Sequence, residues 1–160
     1  MKFQTLKCCI DAKMPVRACG FAQQGAPLTE VRDSLYARIF VFEQNEERYV
    51  LIALDSLGCP KPVYKRLKEE LQAGCDKPMH LVVTATHTHF APDLKVEEYA
   101  DQFIAQMKEA LGGIVLEEMD LTCSFVREPF FKVGSSRISH WETDQIFAQA
   151  LCFYNKGKRI

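Results

Sequence analysis

An α/β fold with a mixed β-sheet and flanking helices is predicted by three features of this 160-residue chain. Apolar, β-branched runs of strand length alternate with segments of helical spacing. A strand, a helix and a second strand follow one another over residues 49–86. The balance of 48% hydrophobic and 26% charged residues is that of a globular domain. A chain of this length buries a core without staples, and no repeat or low-complexity tract interrupts it, so residues 1–160 read as a single unit.

The elements follow from the patterning. Met1 to Cys9 mixes apolar residues with Gln4, Thr5 and Lys7, which breaks the apolar stretch a secretory signal needs and places the chain in the cytoplasm. Leu35 to Phe42 and Tyr49 to Leu54 flank the polar stretch Glu43 to Arg48 as the arms of a hairpin. Pro62 suits a first helical turn, Val63, Leu67 and Leu71 share one face, and Gly74 closes the end, giving a helix over about 61–73. Met79 to Thr86 is a near-continuous apolar run, read as a strand covered on both faces. Strand, helix and strand then form a right-handed βαβ unit with parallel strands, which puts Asp55 and His87 on one sheet edge.

Tyr99, Phe103, Ile104, Met107 and Leu111 recur on one face ahead of Gly112 and Gly113, giving a second helix over about 96–111. Leu116 to Glu128 and Ile146 to Tyr154 read as strands, and Asn155 to Lys158 as a turn into Arg159 and Ile160.

Several functions are excluded early. With 20 Lys and Arg against 21 Asp and Glu, a net charge of −1 offers no field to draw the chain to nucleic acid. The longest apolar runs are strand-sized, too short for a transmembrane helix. The 7 cysteines, at 8, 9, 19, 59, 75, 123 and 152, show no C-x-x-C pair or zinc-finger spacing and read as reduced thiols packed into the core.

The chemistry concentrates in Thr84 to Asp93. In an extended segment residues i and i+2 face one side, so His87 and His89 present imidazoles to a common point, the spacing of metal ligands. Their place at the C-terminal end of a parallel strand is where open α/β sheets set their ligand sites. Neighbouring threonines offer hydroxyls to orient the rings. The alternative use of such a pair is to cap backbone groups at a strand end. Zinc wants three or four ligands, and the remaining candidates are Asp55, Asp93, His80 and His140. Asp55 reads either as a partner of a metal-bound histidine or as a helix N-cap. Arg137, near His140 and Trp141, reads as a binder of an anionic or hydroxylated group or as a surface ion pair. Trp141, Phe130, Phe131 and Phe147 line either an acyl pocket or the core.

Thr86-His87-Thr88-His89 followed by Pro92, behind an apolar strand, resembles the T-H-T-H-S-G-P signature of the neutral/alkaline non-lysosomal ceramidases. Further likenesses keep that family's order: Ile10-Asp11, Gly20-Phe21, Leu35 to Val41, Val50 to Asp55, Ser136-Arg137 and Phe153 to Lys158. The resemblance covers only the first part of the family's catalytic domain. It implies a zinc-dependent hydrolase that cleaves the amide of an N-acyl sphingoid base or a related amide or ester. His87 would bind the zinc, His89 would act in the active site beside it, and Asp55 and Arg137 would contact substrate. Phe90 stands where the family has serine and Asp93 where it has a glycine. The family's other zinc ligands, a His, a Glu and a Tyr, lie beyond the point matching Ile160. Three readings follow: a hydrolase completed by Asp55, Asp93 or another subunit; a non-catalytic domain binding metal or a small ligand; or one part of a split enzyme. The first and third make a homo-oligomer or a second chain the expected partner.

Overall fold

The computed structural model describes residues 1–20, 27–130 and 146–160. The chain divides into two compact units, Met1–Glu118 and Met119–Ile160.

In the first unit a five-stranded sheet has the order β4-β3-β2-β1-β5. The strands are β1 (Lys2–Cys9), β2 (Tyr36–Gln44), β3 (Glu47–Leu54), β4 (Met79–Ala85) and β5 (Glu117–Glu118). Helix α1 (Lys61–Ala73) joins β3 to β4, and α2 (Glu97–Gly112) follows β4. Every pairing is antiparallel except that of β3 with β4, whose register runs from Arg48 opposite Met79 to Leu54 opposite Ala85. The mixed sheet, the two helices and the parallel crossover are those expected from the sequence.

Strand alternation decides which face is dry. Ala37, Ile39 and Val41 of β2, Val50, Ile52 and Leu54 of β3, and Met79 and Leu81 of β4 form one cluster with the helices. Val63, Leu67 and Leu71 of α1 and Tyr99, Phe103, Ile104 and Met107 of α2 complete it. Each of these larger side chains contributes roughly 1.5–3 kcal/mol on burial.

Two expectations change. β4 is an edge strand and Val82 is exposed, so the run is not covered on both faces; its mixed apolar character reflects one buried row plus a β-branched outer row. None of the seven free cysteines is fully buried, and Cys9 and Cys123 are exposed. Cys8 packs against the core while Cys9, its neighbour on the strand, points the other way. Burial pushes the Cys59 thiol up to about 11.

The β2–β3 hairpin is tighter than its polar stretch suggests, because Glu43 opposes Arg48 within the ladder and only Asn45 and Glu46 turn. Both turn residues have positive φ, 53° and 62°, as a two-residue hairpin loop demands. Glu43 is buried and takes hydrogen bonds from Arg48 and from Lys77 Nζ at 3.0 Å. Desolvation alone would raise this carboxyl, but Lys77 and Arg48 outweigh it and hold Glu43 below its ordinary 4.5.

In the second unit, β6 (Leu121–Phe130), β7 (Ile146–Asn155) and β8 (Lys158–Arg159) form an antiparallel sheet in that order. Lys156 and Gly157, with φ of 49° and 77°, make the β7–β8 turn expected from the sequence. Phe125 faces Leu151 across the ladder and both are exposed, while the Arg127 guanidinium lies 3.7 Å over the Phe147 ring.

Because the folded Glu43 pKa lies below 4.5, its ion pairs stabilise fully above pH 4.5 and fade as pH falls through the lower folded value. Glu43→Gln is therefore expected to cost about 2 kcal/mol at pH 7, the worth of hydrogen bonds to charged groups. Urea unfolding at pH 7 and again well below 4.5 checks this: the wild type should lose its advantage at the acid end.

Candidate functional site

The parallel β3–β4 ladder continues past the last strand residues. Thr86 N–H donates to Leu54 O at 3.0 Å, and Thr88 N–H to Ser56 O at 3.1 Å, which fastens the loop after β4 to the loop after β3. Asp55 and His87 are thereby placed on one edge of the sheet, as the crossover predicts.

On the other side, segment 17–20 runs antiparallel to the same loop. Asp93 N–H donates to Arg17 O at 3.0 Å, Cys19 N–H to Ala91 O at 3.0 Å, and Gly20 N–H to His89 O at 3.0 Å. The loop carrying both histidines is held between two backbone rails.

His87 and His89 come together, their ring centroids 5.1 Å apart and nearly perpendicular. The geometry that does this is not the extended one the spacing suggests. β4 ends at Ala85, and His87 has φ of +62°, left-handed and costly by about 1–3 kcal/mol for a residue with a Cβ. The bend is held by the ring itself: His87 Nδ1–H donates to Leu57 O at 2.9 Å, since a carbonyl can only accept. With Nδ1 committed to Leu57 O, Nε2 is the ring nitrogen left for another partner. Thr86 Oγ1 and Thr88 Oγ1 hydrogen-bond one another at 2.8 Å beside the two rings.

The remaining candidates are placed elsewhere or committed. Asp55 accepts Arg38 Nη1 at 3.1 and 3.0 Å and the Tyr36 N–H at 3.2 Å. It is not the helix cap, for the N-cap of α1 is Pro60 with no side-chain bond. Asp93, buried, takes Arg17 Nε at 2.9 Å on Oδ2 and the Lys95 N–H at 2.9 Å on Oδ1, an Asx turn into α2. His80 sits at the opposite end of β4, stacked on Tyr49 with centroids 4.7 Å apart, its Nε2 3.6 Å from Glu47. Arg137, His140, Trp141 and Phe131, like the Ser136-Arg137 likeness, lie outside the described residues. Among the described residues no three His, Cys, Asp or Glu side chains are grouped to hold a metal ion.

Beside the histidine loop opens a cleft of about 580 Å³. Thr88, Phe90 and Pro92 form one wall; residues 11–16 and 28–35 supply most of the rest. Its apolar surface comes from side chains such as Met14, Val16, Leu28 and Leu35, and its charges from Asp11, Lys13, Glu30, Arg32 and Asp33. Helix α2 holds the 10–13 segment in place. Tyr99 Oη–H donates to Ile10 O at 2.6 Å, Gln102 Nε2 to Asp11 O at 2.8 Å, and Gln102 Oε1 accepts the Lys13 N–H at 2.9 Å. Burial pushes the Tyr99 phenol upward, so it stays a donor. Asp11 Oδ1 accepts the Leu35 N–H at 2.8 Å and ties the two walls together. Burial would raise the Asp11 carboxyl, but bonds from Leu35, Ser34 and Cys9 prevail and lower it.

Sequence reasoning missed this cleft, Arg17, Arg38, Gly20 and Leu57. The charges were visible, but their pairing joins segments far apart in the chain, and Leu57 acts through its carbonyl, which no side chain advertises.

No family model and no curated protein matches the chain. Among solved structures, one described as a ceramidase complexed with C2 superposes on 99% of this chain with a TM-score of 0.69 and 15% sequence identity. The chain spans 29% of that protein's length. At that identity the likeness is one of fold, and the fold is that of part of a ceramidase. No helix among the described residues is long and apolar enough to cross a membrane.

The Leu57 contact fixes the tautomer. Nitrogen-15 NMR at pH 8 is expected to show the Nδ1–H tautomer of His87; the Nε2–H tautomer would contradict the bond to Leu57 O.

Proposed function

We propose that this chain carries the histidine edge and the acyl cleft of a ceramidase-like amide hydrolase. The observation that carries the proposal is the meeting of His87 and His89 on the loop whose Thr88, Phe90 and Pro92 line the cleft, in a fold shared with part of a ceramidase.

The cleft suits an amphiphile. Its volume falls within the range of roughly 300–1,000 Å³ common to small-molecule sites. Met14, Val16, Leu28, Leu35 and the exposed Phe90 offer surface for an acyl chain, and Lys13, Arg32 and Asp33 offer partners for a polar end. An N-acyl sphingoid base or a related amide or ester has that division. Asp55 and Arg137 are the proposed contacts to its head group, Asp55 acting through the Arg38 it holds.

His87 Nε2 and the His89 ring are the proposed zinc ligands, with His89 also bordering the reacting group. Their donor chemistry suits zinc, but two imidazoles fall short of the three protein ligands a catalytic zinc takes. The described residues do not complete the set, so no step is derived through the metal. A further ligand must come from outside them, in this chain or from a second copy or chain.

The test is hydrolysis of a short-chain N-acyl sphingosine by untagged protein purified without chelator, with zinc content measured on the same sample. The reading expects near-equimolar zinc, released fatty acid, and a loss of both in His87→Ala of roughly 100-fold or more, beyond the 10–100-fold typical for second-shell partners. Binding of the amide with neither zinc nor turnover, even after zinc is added, would replace this reading with a non-catalytic ligand-binding domain. That second reading is favoured by the incomplete ligand set among the described residues.

A further inference from the structure

The two imidazoles are brought together from two sides, and one of those sides is set by a residue without a side chain. Gly20 lies so close to His89 that a Cβ built on it would fall 2.3 Å from His89 Cβ, 2.5 Å from His89 Cα and 2.5 Å from His89 Cγ. Real Cβ atoms essentially never come within 3.0 Å of another heavy atom, and two of the three atoms belong to backbone or its first side-chain carbon, which no rotamer change can move. A methyl at position 20 would therefore displace the His89 backbone itself. The approach is drawn this tight by the Gly20 N–H to His89 O bond and by its neighbours at Cys19 and Arg17, with Arg17 Nε pinning Asp93 at the far end.

We propose that Gly20 is the positioning residue of the histidine pair: its missing side chain is the seat that sets His89 against His87. His87 is fixed independently, by Leu57 O on the β3 side. The ring separation of 5.1 Å is thus the distance between two rails, one built on Leu57 and one on Gly20. The inference deepens the reading of this edge as a ligand-binding site, yet it concerns only the chain's own geometry.

The same structure supplies a control. Gly58, in the loop after β3, has nothing within 4 Å of a built Cβ, so Gly58→Ala leaves the edge as it is. Gly20→Ala is expected to abolish the nuclear Overhauser contacts between the His87 and His89 rings while His87 keeps its Nδ1–H tautomer. It should also weaken zinc binding, measured by calorimetry, at least tenfold. Gly58→Ala should change neither.

Ring contacts that persist in Gly20→Ala, or that are absent in the wild type, would overturn the proposal. If the wild type shows the contacts, Gly20→Ala loses them and zinc binds neither protein, the seat stands and the metal reading falls. Should Gly20→Ala fail to fold, the wild type decides: a seat this close requires nuclear Overhauser contacts from the Gly20 Hα protons to the His89 Hα and Hβ protons, so their presence supports the seat and their absence contradicts it.

Discussion

Parallel pairing of β3 with β4 is the constraint on which the rest of this structure depends. It requires a crossover, and α1 supplies it with Val63, Leu67 and Leu71 facing the sheet. It also brings the C-terminal ends of two strands side by side, so that the Leu54 and Ser56 carbonyls can take the Thr86 and Thr88 N–H groups. The left-handed turn at His87 is tolerable only because these bonds, and the bond to Leu57 O, over-determine it. Strain of this kind at a sheet edge beside a cleft is where function is usually found.

Charge is used here to fasten rather than to attract. Arg17 with Asp93 and Arg38 with Asp55 pair the carboxylates that the sequence offers as metal ligands. Asp93 is buried, and an unpaired carboxylate there would be costly; its guanidinium partner answers that cost and locks the entry into α2. The edge is thus left with two imidazoles beside carboxylates already paired with arginines.

Much of the fold was legible in the chain. The helices Lys61–Ala73 and Glu97–Gly112 fall within a residue or so of the spans read from their periodicity, because three or more large apolar residues recur on one face of each. The hairpin was readable from its two apolar arms, though its turn shrank to Asn45 and Glu46 once Glu43 and Arg48 proved to be a cross-strand pair. The apolar run at β4 misled: periodicity cannot tell a central strand from an edge strand with β-branched residues outside. At the site, the His-x-His spacing pointed to the right neighbours for the wrong geometric reason, an extended strand instead of a left-handed bend. The seat at Gly20 and the carbonyl of Leu57 were illegible, since both act through backbone and through contacts between distant segments.

Two backbone rails hold His87 and His89 as a pair on the loop that borders the cleft, and the proposed role of that pair is to bind a divalent metal. Anomalous diffraction at the zinc edge from crystals of the protein soaked in zinc addresses it directly. A peak is expected about 2.0–2.1 Å from a ring nitrogen of each histidine, with Nε2 the one used on His87. A zinc peak elsewhere with none at this pair, or no peak at all with the two rings well ordered, would contradict it.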